Sequence, residues 1–312
     1  MSDPGARLGI AASSPGRERE LSFDWPIDLG LTVASHGWVH LAPWSWDRER
    51  GRLARIEWIG GRLGTIGARQ SSPTALVIDW DGFTQGDVPE ILHRVRRWIS
   101  AEWDPAPAIA ALDGSFPEAA ALIARGAGRL LRCSTFHEDF IKTLLTVNTS
   151  WSGTCRMVAA LVADPGGGAF PSPEAVIEYG EGRLRRIAKL GFRAPSAVAA
   201  TRRMLDDGLI DSAGHGIEDR LDHDYLVSLK GIGPYAAAHC RMLLHDFSRI
   251  PVDSVVIAHL REWHDTTPAD FIAARAECGA YLGLGYRLMR LREKFAVPEI
   301  GVGPPPPAIT AY

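Results

Sequence analysis

The chain has 312 residues, 46% hydrophobic and 23% charged, the balance of an ordinary globular protein with a well-buried core in one to three domains. Its net charge of −3 lacks the basic excess common among nucleic-acid binders, so any contact with nucleic acid has to come from local patches. No apolar run reaches the roughly 20 residues of a membrane span, no signal-peptide core opens the chain, and Cys133, Cys155, Cys240 and Cys278 are too scattered for a zinc or iron–sulfur motif; a reducing, cytoplasmic setting is expected.

In chain order, residues 1–20 are small, polar and rich in Pro and Gly, which predicts disorder. Residues 21–115 then carry β-prone runs at meander spacing: LGLTVAS, GWVHLAP, LARIEWIG, RLGTIGAR and TALVIDW. The stretch DVPEILHRVRRWISAEW reads as one amphipathic helix with Ile91, Val95 and Trp98 on one face. This segment holds eight of the ten tryptophans, which fill a core or, near Trp38 to Trp46, line a cavity for a flat ligand. Residues 116–295 read as successive helices with short connections, and 296–312 as a Pro-rich tail. The expected fold class is α+β, an N-terminal antiparallel β-sheet with a packed helix followed by an all-α bundle.

The chemistry concentrates in LVSLKGIGPYAAAHCRMLLHDFSRIPVD, residues 226–253. Lys230-Gly231-Ile232-Gly233 forms a hairpin that brings backbone N–H groups to the start of a helix, an arrangement suited to a phosphate. A lone carboxylate, Asp253, follows Pro251-Val252. Near a bound phosphodiester it would be repelled, so its placement suggests chemistry on a nucleotide. Its alternative role is to cap the helix that begins after it, and both roles are compatible.

The pattern Leu229-x-Gly231-Ile232-Gly233-x-x-Ala236, followed by Pro-Val-Asp253, resembles the helix-hairpin-helix DNA glycosylase superfamily, closest to the 8-oxoguanine and 3-methyladenine DNA glycosylases. The resemblance covers residues 21–295 and is strong over 226–253. It implies an α+β fold whose helical part is a helix-hairpin-helix glycosylase bundle, and an enzyme that flips a modified base out of double-stranded DNA and breaks its N-glycosidic bond. Asp253 matches the catalytic position, where a carboxylate stabilises the cationic sugar and orients water. Lyase-competent relatives carry a lysine at the position of Tyr235. A phenol cannot form a Schiff base, so a monofunctional glycosylase that leaves an abasic site is expected. The alternatives are a bifunctional glycosylase/lyase, with Lys230 as the nearest amine, and a non-catalytic DNA-binding protein.

By the same resemblance, Tyr235 and His239 line the base pocket, one helical turn apart, His239 reading a base edge or serving as a satisfied core histidine, and His36 stands with Gly37 where the 8-oxoguanine enzymes carry Gly-Gln. Asn148 matches the residue that fills the gap left by the flipped nucleotide, its alternative role being a helix C-cap, with Trp151 close behind as a wedge or core residue. Arg193, in LGFRA, is expected beside the DNA backbone or the opposite base. No cofactor or metal is implied for catalysis, with a structural monovalent cation at the hairpin as an option. The remaining implications are a monomer, no membrane partner, and a role in repair or in defence against modified phage DNA.

Overall fold

The computed structural model describes residues 17–295, with side chains to 293. The expected tail and most of the expected N-terminal disorder therefore lie outside the described residues. Five strands form one antiparallel sheet: β1 (Glu18–Ser22), β2 (Trp44–Asp47), β3 (Arg52–Ile59), β4 (Arg62–Ser72) and β5 (Ala75–Asp81), in the order β1-β5-β4-β3-β2. Alternation sets the buried face, as Leu76, Ile78 and Trp80 of β5 are 0%, 0% and 3% exposed. The helix expected after the sheet is present, preceded by α1 (Leu29–Ala34), as α2 (Val88–Trp98), and Ile91, Val95 and Trp98 are all fully buried.

Three sequence expectations need correction. LGLTVAS is not a strand but α1, because the Asp28 side chain accepts the N–H of Leu31 at 2.8 Å and caps a helix. Five of its six residues are buried, so it has no polar face from which a helical period could be read. GWVHLAP likewise forms a 3-10 turn over Gly37–His40. Part of the segment expected to be disordered is β1, whose backbone completes the edge of β5.

The helical part comprises α3 (Ala106–Leu112), α4 (Pro117–Ala124), α5 (Phe136–Leu144), α6 (Trp151–Ala163), α7 (Pro173–Arg186), α8 (Ala194–Asp206), α9 (His223–Ser228), α10 (Pro234–Leu243), α11 (Ser254–His264), α12 (Pro268–Ala273) and α13 (Leu282–Phe295). One hydrophobic core runs through both parts. At the chain's end α13 returns to pack on α3 and the following turn; a Cβ at Gly285 would lie 2.6 Å from the Phe116 ring.

Buried charges join the sheet to α5. Arg55 of β3 bridges Glu57 at 2.6 Å and Glu138 of α5 at 2.7 Å, and Lys142 meets Glu138 at 2.7 Å. Arg97 of α2 meets Asp139 of α5 at 3.1 Å. Burying ion pairs contributes little net stability, but deleting one partner strands the other, so the network specifies one relative placement of sheet and helix. Asp139 also accepts the indole N–H of Trp38 at 3.0 Å, which ties this network to the cavity described next.

Candidate active site

A cavity of about 650 Å³ opens where α10, α13, the α5–α6 connection and the turn after α1 converge. Asp253, Tyr235, His239, His36 and Asn148 all line it. They come from positions spread over 218 residues of sequence, the interval from 36 to 253 inclusive.

Asp253 is the N-cap of α11. Its Oδ1 accepts the N–H of Val255 at 3.0 Å and of Val256 at 2.8 Å. Both capping bonds end on the same oxygen, so the cap fixes the carboxylate's orientation without using Oδ2. The expected capping role is therefore present, and the half-buried carboxylate stands on the cavity wall at the same time.

The hairpin preceding α10 divides its residues by side. Lys230, Gly231 and Gly233 are exposed, whereas Ile232 is buried and its N–H donates to the Leu229 carbonyl at 3.1 Å. Gly231 has φ +91°, and a Cβ there would lie 2.7 Å from Ser196 Oγ. Only glycine suits both the left-handed backbone and this close approach to α8. Gly233 then caps α10, where Pro234 has no N–H to donate and the Tyr235 and Ala236 N–H groups precede the first intrahelical bond, from the Ala237 N–H to the Gly233 carbonyl at 3.0 Å.

Tyr235 and His239 stack one turn apart on α10, with ring centroids 6.4 Å apart at 18°. Burial, and then the Asp253 carboxylate, raise the Tyr235 phenol above its usual range. It is a neutral hydroxyl at physiological pH. Trp38 lies 5.1 Å from His239 and 4.8 Å from His36, which completes an aromatic wall. Burial, followed by Arg287, pushes His239 down to about 3 and holds His36 well below its ordinary value. Both rings are therefore neutral. His36 Nε2 lies 2.8 Å from the Leu131 carbonyl, which can only accept, so its Nδ1 is unprotonated.

Gly37 explains why this turn carries no larger residue. A Cβ on it would meet the Trp151 ring at 2.5 Å, so the turn and the indole are in close contact on the cavity wall. Trp38 and Trp151 line the cavity; Trp44 and Trp46 do not.

Arg193 has structural partners that the sequence did not show. It is 6% exposed, and its guanidinium donates inward to the carbonyls of Val147 (3.0 Å from Nε) and Asn148 (2.9 Å from Nη2). The reason lies in the end of α5: Asn148 has φ +50°, and this left-handed turn leaves carbonyls that need donors. Arg193 supplies them and holds the exposed Asn148 at the mouth of the cavity.

Sequence reasoning missed Arg287 and Arg290 of α13, both of which line the cavity. Arg287 donates to the Ser35 carbonyl at 2.7 Å, clamping the turn that carries His36. Their only sequence signal is a basic amphipathic helix, which is usually just a solvated face. Among the described residues no lysine lines the cavity. No described helix is long and apolar enough to cross a membrane.

No protein-family model matches the chain, and no curated protein matches it. Solved structures do. A 3-methyladenine DNA glycosylase from Archaeoglobus fulgidus aligns with a TM-score of 0.66 at 17% identity, covering 90% of this chain and 100% of that one. MBOgg1 in complex with a low-affinity DNA ligand aligns at 0.63 and 16%, covering 89% and 98%. The apo 8-oxoguanine glycosylase/lyase of Clostridium acetobutylicum aligns at 0.63 and 15%, covering 86% and 99%. The chain thus has the fold of the helix-hairpin-helix DNA glycosylases along nearly its whole described length.

Proposed function

We propose that this protein is a monofunctional DNA glycosylase acting on a modified base in double-stranded DNA. The observation that carries the reading is Asp253, a carboxylate clamped by two backbone N–H groups on the wall of a cavity large enough for a base. The hairpin at Lys230 to Gly233 grips the phosphodiester through the exposed backbone of Gly231 and Gly233, and Asn148 occupies the gap in the duplex at the cavity mouth. The extruded base enters against Trp38, His239 and Tyr235. As the glycosidic bond lengthens, positive charge grows on the deoxyribose, and Asp253 stabilises it and orients the attacking water.

The monofunctional assignment rests on the amines. A lyase needs an amine at C1′, and Tyr235 offers a phenol whose proton is held more tightly than usual. Lys142 is fully buried against Glu138, and Lys230 lies on the outer side of the hairpin. A panel of duplexes carrying single modified bases, read by mass spectrometry for released base, tests the activity. Borohydride treatment of the same reactions tests the class. Free base with an intact abasic strand and no trapped adduct is expected; a trapped adduct lost in Lys230→Ala would replace this reading with the bifunctional one.

A further inference from the structure

A second cluster of chemistry-bearing side chains lies outside the cavity, where the end of α11 meets α13. His259 Nε2 and His264 Nε2 lie 3.0 Å and 3.2 Å from the same oxygen, Glu293 Oε2. Facing ligand atoms from all three residues fall within 4.8 Å of one another. We propose that His259, His264 and Glu293 form a binding site for a divalent transition-metal ion, tying α11 to α13 behind the cavity.

The donor set argues for the ion. Two imidazoles and one carboxylate suit Zn²⁺, which takes nitrogen at roughly 2.0–2.1 Å and carboxylate oxygen at roughly 2.0–2.2 Å in tetrahedral geometry. Those bond lengths separate neighbouring donor atoms by about 3.3–3.4 Å. The observed histidine–carboxylate separations are therefore a few tenths of an ångström short, a gap that small side-chain rotations open. His259 is completely buried, and His264 and Glu293 are 22% and 25% exposed, which leaves a route for the ion and room for water in the fourth position.

The surrounding bonds fit as well. His259 Nδ1 lies 3.1 Å from Tyr286 Oη, the outer partner that a metal-binding imidazole usually has. Arg290 also acts on His259, and this positive neighbour lowers affinity, so binding in the micromolar range is expected rather than the far tighter binding of a four-ligand site.

The ion would also change the cavity. With the ion bound, the Nε2 lone pairs of His259 and His264 go to the metal and the proton of each ring is on Nδ1, so His259 Nδ1 donates to Tyr286 Oη. Tyr286 lines the cavity, so the site adjoins one of its walls.

This proposal is independent of the glycosylase reading, and its test does not use base release. The full chain, stripped with EDTA, is titrated with ZnCl₂ by calorimetry, and Co²⁺ is added separately to record ligand-field absorption. One equivalent of Zn²⁺ and Co²⁺ bands of a nitrogen/oxygen site are expected. Glu293→Gln and His264→Gln, both at partly exposed positions, should weaken binding by at least ~10-fold, and Tyr286→Phe by about 10-fold. Circular dichroism confirms that each variant is folded. No heat above the buffer control, or an unchanged isotherm in folded Glu293→Gln and His264→Gln, would leave only a hydrogen-bonded triad and overturn the proposal.

Discussion

Replacing Asp253 by Asn separates its two roles, because asparagine caps helices about as well as aspartate. The bonds to Val255 and Val256 end on a single oxygen, Oδ1, which an asparagine carbonyl reproduces. Folding therefore loses only the charge's interaction with the helix N-terminus, about 0.3–1 kcal/mol. The reaction loses far more. A unit charge about 4 Å from the developing sugar cation, at an effective dielectric of about 20, contributes about 4 kcal/mol, or ~10³ in rate. Asp253→Ala should show both losses, adding about 1 kcal/mol for the missing cap and lowering Tm by about 2 °C. Single-turnover base release on the best substrate, with thermal melts of all three proteins, measures this. If Asp253→Asn kept base release within about 10-fold of the parent at an unchanged Tm, Asp253 would be a cap and no more, and the mechanism would be wrong.

Gly231→Ala must place a Cβ at φ +91° and 2.7 Å from Ser196 Oγ, so it should cost about 1–3 kcal/mol and weaken binding to undamaged duplex; fluorescence anisotropy and a denaturant melt check both. Lys230→Ala should reduce the slope of log K against log salt by about 1, because the proposed reading sets the exposed Lys230 against one phosphate. Arg193→Ala should leave that slope unchanged while lowering stability by about 2–3 kcal/mol, since its partners are the Val147 and Asn148 carbonyls; a changed slope would show that Arg193 meets phosphate after all. The neutral histidines give a pH prediction whose sign is fixed. Burial lowers His239 and His137 to about 3 in the folded state, below the unfolded value of about 6.5, so the unfolded chain binds more protons between those limits. Stability should be full above pH ~6.5 and fall as pH drops, by about 2 kcal/mol per histidine at pH ~5, and chemical denaturation at pH 7 and 5 measures the difference.

How much of this was legible in the sequence depends on how far apart the cooperating residues lie. The hairpin, the cap at Asp253 and the face shared by Tyr235 and His239 are local: a glycine's permitted φ, a cap's short reach and a 3.6-residue period act over a few positions. The α2 face of Ile91, Val95 and Trp98 was legible for the same reason. Where every side of an element is buried, as in α1, no polar face marks the period, and β-branched residues there mimic a strand. The inward bonds of Arg193 were not legible, since the carbonyls that receive them follow α5, 45 residues away. The cavity itself belongs wholly to the tertiary structure. His36 and Trp38 reach it from the N-terminal part and Arg287 from α13, and a bond from Arg287 to Ser35 spans 252 residues. The triad of His259, His264 and Glu293 likewise has no motif spacing, because its third member comes from another helix. The local sequence determined a glycine hairpin and a placed carboxylate. Long-range packing decided what they face, because the buried apolar surface and ion pairs that set one element against another join residues that no sequence window spans.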